Sequence, residues 1–295
     1  MMKPLRTLLF APGNRPDRAE KAIGLGADAV VIDLEDAVPI AQKESSRSLV
    51  KEVLDKHPGK RLYVRINALS TPYAREDMEA VGSKNLKGIM LPKVESPDEV
   101  FEIDRLLTDL EKGAGMEIGS LELISICETA KGLEDLYGIL SAKPEHHRVS
   151  IAAFGAADYT LDLGINLTRE GKELDYPRTR IPIASRAAGI VPPLDSPWMV
   201  DLKDIEGLIA DAKKAKAYGF QGKIVIHPNQ IEPCNDIFTP TKEEIAHAKR
   251  VIEAFEEAEA AGKAAIQLEG KFIDYPVVEK SRRIVQLSQL IAGED

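Results

Sequence analysis

Short, nearly continuous apolar runs recur along the chain, and between them lie stretches whose apolar residues fall at helical spacing. The runs are LRTLLFAP (5–12), AVVIDLE (29–35), RLYVRIN (61–67), GIMLPKV (88–94), LELISIC (121–127), VSIAAFG (149–155), GIVPPLD (189–195) and KIVIHP (223–228). Continuous rather than alternating apolarity is what strands buried on both faces require. The intervening segments, among them KESSRSLVKEVLDKH, SPDEVFEIDRLLTDLEK and DLKDIEGLIADAKKAKAYG, read as amphipathic helices, the last closed by a glycine. Strand then helix, eight times in about 230 residues, predicts an α/β chain folded as a (β/α)8 TIM barrel. A doubly wound parallel sheet is the alternative. Against it, the first strand runs into APGNRPDR, not into the G-x-G-x-x-G of a dinucleotide-binding turn.

The pattern changes near residue 235. TPTKEEIAHAKRVIEAFEEAEAAGKAA reads as one long helix, with Thr241 and Glu244 spaced as a capping box. GKFIDYPVVEKSRRIVQLSQLI then predicts a short turn, with Pro276 near the start of a final amphipathic helix. The expected organisation is a catalytic barrel over 1–235 and a C-terminal helical extension over 236–295. No low-complexity linker separates them, so the extension is expected to pack on the barrel or on a neighbouring subunit.

Composition narrows the function classes. The chain has 295 residues, 44% of them hydrophobic, and a net charge of -9, which argues against a nucleic-acid binder but not against a local basic pocket for an anion. Two cysteines, Cys127 and Cys234, make neither a disulfide framework nor a zinc spacing. No run approaches the roughly 18 apolar residues of a membrane span. The apolar stretch in MMKPLRTLLFAPGN is too short for a signal sequence. The expectation is a cytoplasmic protein without membrane or nucleic-acid partners.

In such barrels the chemistry sits where the strands end. The predicted ends carry Asp33, Glu35 and Asp36, then Arg65 and Asn67, Lys93 and Glu95, Glu128, Asp158, Asp195 and His227. Carboxylates interleaved with Arg and Lys suit a divalent cation and an anionic ligand. Glu128 and Asp158 each follow a strongly apolar strand, one strand–helix–strand unit apart, so adjacent strands would carry them side by side. Two readings are open: a pair of metal ligands, or Glu128 starting a helix and Asp158 capping one. Arg65 is either a clamp for a ligand carboxylate or the partner of Glu35 or Asp36 in an internal ion pair. Lys93 divides the same way. His227 before Pro228 reads as a structural residue, and Asp274 as a turn or N-cap residue.

Taken in order, LLFAPGNRPDRAEKA, GADAVVIDLEDAV, VRIN, IMLPKVES, ICETAKGL, FGAADYTLDLG, IHPNQI and FIDYP resemble the CitE-like proteins of the HpcH/HpaI aldolase–citrate lyase β-subunit family. The resemblance implies a metal-dependent TIM barrel, assembled as a homotrimer or hexamer, that makes or breaks C–C bonds beside a thioester of coenzyme A or a carrier protein. It implies Mg2+, with Mn2+ as the alternative, on Glu128 and Asp158. Arg65 would hold the carboxylate of a 2-oxo acid, and Glu35, Asp36 and Lys93 would orient groups around the metal. Arg18 and Lys21 would lie near the coenzyme A phosphates. Asp274, from a neighbouring subunit's tail, would be the acid–base group. The expected substrate is a malyl-, citramalyl- or citryl-type acyl-CoA, split to a 2-oxo acid and acetyl-CoA. Thioester hydrolysis, a carrier-dependent citrate lyase subunit, and a non-catalytic ligand-binding scaffold are the other readings.

Overall fold

The computed structural model describes residues 3–293. Leu5–Asn235 form one compact unit, and the segment from Asp236 forms most of a second.

The first unit is a closed barrel of parallel strands in sequential order, β1 to β8. They are β1 (Thr7–Pro12), β2 (Ala29–Asp33), β3 (Leu62–Arg65), β4 (Leu86–Leu91), β5 (Glu122–Cys127), β6 (Val149–Phe154), β7 (Leu194–Asp195) and β8 (Gly222–Val225). Every apolar run named above supplies one strand. The core strands are buried throughout; all of β2 and β8 is inaccessible or nearly so. The strand at GIVPPLD shrinks to two residues, since Pro192 and Pro193 have no N–H to give a ladder. Closure there rests on Ala153↔Leu194 on one side and Leu194↔Gly222 with Asp195↔Lys223 on the other.

Helix ends follow their local sequence. Ser96 and Glu99 form a capping box on helix Pro97–Ala114, and Gly115 closes it in the left-handed conformation. Gly13 packs where a side chain has no room: a Cβ there would lie 2.7 Å from the Asp33 carbonyl and 2.9 Å from Val50. Its amide donates to that same carbonyl at 2.8 Å. The glycine of APGN therefore joins the β1 turn to the end of β2.

The second unit holds helix Lys242–Ala260, a hairpin of β9 (Ala265–Leu268) and β10 (Lys271–Asp274), and helix Tyr275–Ala292. Val251, Phe255, Ile273 and Val278 make its small core. The capping box of Thr241 and Glu244 forms as expected. The hairpin replaces the expected turn. Its strands are four residues each and mostly exposed, so they lack the long apolar run that marks a buried strand. No helix among the described residues is long and apolar enough to cross a membrane.

Candidate active site

The ends of β2 and β3 meet in register, Asp33 opposite Arg65. Arg65 donates from Nε and Nη2 to the two Asp33 oxygens, both at 2.7 Å. Its Nη1 lies 2.9 Å from Glu35 Oε2 and 3.8 Å from Asp36 Oδ2. The Phe10 ring supports it from one face, 4.9 Å away. Burial works against the guanidinium charge, but Asp33 and then Glu35 more than offset it and hold its pKa above the ordinary value. The expected ion pair therefore exists, with Asp33 as its principal member rather than Glu35 or Asp36.

Asp33 is the organising residue that the strand-end reading left without a role. It is 1% exposed, and besides Arg65 it accepts the Glu35 and Ala37 amides, at 2.9 and 3.0 Å. Behind it stands Lys43, also buried, donating from Nζ to the carbonyls of Leu34 and Glu35 and to Asn67 Oδ1. Asn67 in turn donates to Leu34 O and Asp77. The DLED turn is thus clamped from both sides, which fixes where Glu35 points.

Glu35 accepts from Lys93 Nζ at 2.6 Å, and the same ammonium lies 3.4 Å from Asp158 Oδ1 and 4.0 Å from Asp36. Burial is the largest influence on Glu35 and raises its carboxyl above the ordinary range despite Arg65 and Lys93. Lys93 itself has φ 53°, a left-handed conformation that is strained for a residue with a side chain. In that conformation its amide donates to Glu128 Oε1 at 2.9 Å.

Glu128 is 3% exposed at the end of β5. Gly155 lets it sit there, since a Cβ at that position would lie 2.3 Å from Glu128 Oε2. Desolvation, then the neighbouring charges of Asp158 and Glu35, push its pKa up to about 8. Asp158 lies in the first turn of helix Ala156–Leu163, after β6. The helix that follows Glu128 is capped by Thr129, so Glu128 is free of that duty. Asp36 likewise caps nothing and is largely exposed.

Phe10, Asp36, Arg65, Glu128, Phe154 and Asp158 share a cavity of about 180 Å3 with Ile126, Pro197, Met199, Ile224 and Ile226. No group of three or more metal-ligating side chains occurs among the described residues. The donor set is two carboxylates, all oxygen, one of them desolvated and facing other carboxylates. This fits a hard cation that keeps most of its coordination for water and substrate oxygens.

Other sequence candidates lie elsewhere. Asp195 is fully buried among Arg178, Lys223 and Asp211, facing helices rather than the cavity. His227 caps the short turn Pro228–Gln230. Arg18 and Lys21 are exposed on helix Pro16–Ile23, which follows β1. Asp274 caps helix Tyr275–Ala292 by accepting the Val277 amide at 3.4 Å.

Residues 6–228 match the HpcH/HpaI aldolase/citrate lyase family. The chain is 38% identical over 285 residues to citrate lyase subunit beta of Leuconostoc mesenteroides subsp. cremoris, covering 96% of this chain and 93% of that protein. It is 33% identical over 299 residues to the mitochondrial citramalyl-CoA lyase of Homo sapiens, covering 98% and 86%. Among solved structures it resembles CitE from Mycobacterium tuberculosis, determined in complex with magnesium, acetoacetate and coenzyme A, with a TM-score of 0.77, 30% identity, and coverage of 97% and 98%. With this fold and these relatives, the chain is a member of the HpcH/HpaI aldolase/citrate lyase family and an enzyme of the lyase class.

Proposed function

We propose that the protein reversibly cleaves a 3-hydroxy-3-carboxyl acyl-CoA to a 2-oxo acid and acetyl-CoA. The observation that carries this reading is the meeting of Glu128, Asp158 and Arg65 in one cavity at the strand ends. Glu128 and Asp158 would hold Mg2+, and Mn2+ suits the same oxygen donors. Once bound, the ion supplies Lewis-acid polarisation and neutralises charge developing on the substrate oxygens.

The remaining roles belong to side chains. Arg65 is locked by Asp33 and lines the cavity, and its Nη1, which stands 2.9 Å from Glu35 Oε2, would be shared with the substrate carboxylate to fix its orientation. Lys93 screens Glu35 from Asp158 and, through its amide, sets the Glu128 carboxylate. The hydroxyl proton leaves and its oxygen becomes the carbonyl of the 2-oxo acid. The electron pair of the broken C–C bond goes to the thioester α-carbon, which then takes a proton. No oxidant or second substrate is needed. Asp274 from a neighbouring copy is the proposed proton donor at that carbon, in a trimer or hexamer. Arg18 and Lys21 are proposed to meet the coenzyme A phosphates.

The Leuconostoc relative is named as a subunit, which favours a second reading: a component of a citrate lyase assembly acting on a carrier-bound thioester. One experiment separates these. Malyl-, citramalyl- and citryl-CoA are each incubated with Mg2+ or EDTA, and products are read by mass spectrometry. Acetyl-CoA plus a 2-oxo acid, lost with EDTA, is expected. Free CoA with intact hydroxy acid would mean thioester hydrolysis instead. No turnover of any CoA ester would favour the carrier-dependent subunit.

A further inference from the structure

Glu128 and Asp158 stand on different segments, and two hydrogen bonds tie those segments together on either side of Glu128. Before it, the Gly155 amide donates to the Cys127 carbonyl at 3.2 Å, at the end of the β5–β6 ladder. After it, the Ala130 amide donates to Asp162 Oδ2 at 2.7 Å. The first tie is backbone on both sides. The second depends on one side chain.

Asp162 lies one turn beyond Asp158 in helix Ala156–Leu163. Its own helix gives no local reason for a carboxylate there. The last turn is where the helix dipole disfavours negative charge, and the residue is exposed, so packing does not call for it either. Its reason lies across the gap. Ala130 opens helix Ala130–Glu134, and its N–H is among those a helix start leaves without an internal partner. Thr129 caps that helix through the Gly132 amide, which leaves the Ala130 amide for Asp162.

We infer that Asp162 is a positioning residue for the metal: by holding the Ala130 amide, it fixes the segment after Glu128 against the helix of Asp158 and so sets the separation of the two carboxylates. The inference rests on the proposed metal pair. Two carboxylates lining one cavity repel each other until a cation lies between them. The Cys127–Gly155 bond resists their spreading on one side of Glu128, and Asp162 resists it on the other. The start of the Asp158 helix is anchored separately. Its N-cap, Gly155, has no side chain, and buried Ser196 accepts the Ala156 amide in its place at 3.2 Å. Loss of Asp162 therefore frees chiefly the Glu128 segment.

The bond can be removed from either end. Asp162→Ala deletes the acceptor, and Asp162→Asn keeps one. Ala130→Pro deletes the donor at a position suited to proline: the first residue of a helix, after an extended Thr129 at φ -128° and ψ 155°. It should leave the melting temperature unchanged or slightly raised.

The probe is Mn2+ alone, with free ion read by electron paramagnetic resonance and Mg2+ as competitor. Asp162→Ala and Ala130→Pro should each raise the Mn2+ Kd about 10–100-fold. The double variant should lose no more than either single one, since both remove the same bond. Asp162→Asn should stay within about threefold of wild type. Thr241→Ala, which weakens a helix cap outside the barrel, should lower stability and leave the Kd unchanged. Tight binding in wild type, lost in Glu128→Gln but unaltered in Asp162→Ala and Ala130→Pro, overturns the inference and leaves the metal pair standing. Weakening shared by Asp162→Ala and Asp162→Asn but absent from Ala130→Pro assigns the effect to charge and also overturns it. No Mn2+ binding, or binding that survives Glu128→Gln, overturns the metal pair and the inference together.

Discussion

Glu128 shows how one side chain can be good for a site and bad for the fold. Its carboxyl is raised to about 8, chiefly by desolvation, so above the ordinary glutamate value the ionised form opposes folding, and the opposition is complete above about pH 8. Glu128→Gln keeps an acceptor for the Lys93 amide and carries no charge. The variant should lose metal-dependent turnover. In EDTA at pH 8–9 it should melt a few degrees above wild type, a gain that fades toward pH 4.5. A lower melting temperature at pH 9 would refute this. Lys43 acts at one remove. Lys43→Met keeps the length but leaves Asn67 Oδ1 without its donor, and the Leu34 and Glu35 carbonyls with only the Asn67 amide and the Val38 N–H, costing about 1–3 kcal/mol. With Glu35 no longer held, kcat measured well below the melting transition should fall about 10–100-fold. Glu128 and Asp158 were legible in the sequence as carboxylates ending apolar strands. Asp33 was equally visible in DLED, but its role needed the β2–β3 register, which places it opposite Arg65. Lys43 opens an amphipathic helix, where a lysine reads as solvated, and only the tertiary fold turns it inward.

Among elements, the Thr241–Glu244 capping box was written locally and forms as read, whereas Asp158, offered as a cap, lies inside a helix whose N-cap is Gly155. Ser96→Ala removes half of a capping box and should lower stability by about 1 kcal/mol, read as an earlier denaturation midpoint with unchanged slope. The strands were recoverable because burial on both faces makes them continuously apolar. Two elements were harder to read. β7 spans two residues after a Pro-Pro pair, and β9–β10 form an exposed hairpin whose alternation is weak. The run over 189–195 was read as a strand but is longer than the element it yields, while the hairpin has too few buried apolar residues for periodicity to register. Asp195 was misread for a related reason. Its position at a strand end is correct, but a strand's successive side chains point to opposite faces, and this one faces the helices.

On the scale of the whole molecule, charge is buried away from the chemistry as well. Arg148 pairs with Asp104 and Glu111 just before β6, at the strand starts, where such barrels concentrate stability rather than catalysis. Burial pushes the Glu111 carboxyl up, but Arg148 and the Leu121 and Gly119 amides outweigh it and hold it below the ordinary range. Its contribution is therefore present above the unfolded glutamate value, about 4.3, and lost as pH falls through the folded one. Glu111→Gln should destabilise the protein at pH 7. The gap from wild type should close below about pH 4 in urea titrations. A gap that stays constant with pH would exclude this linkage.

The short β7 has a consequence for how the barrel moves. Five register pairs join β1 to β2, from Leu8↔Ala29 to Pro12↔Asp33, whereas a single one, Ala153↔Leu194, joins β6 to β7. A ring stitched so unevenly opens first at its thinnest seam, and the Leu194 and Asp195 amides should exchange with deuterium well before those of β2 or β5. Pro197 and Met199, which follow this seam, line the same cavity as Glu128 and Asp158. Arg65 and Glu128 stand at the ends of strands joined by four or five register pairs, whereas Pro197 and Met199 follow the strand joined to β6 by one. Changes in this loop should therefore reshape one side of the cavity while leaving Arg65 and Glu128 where they stand.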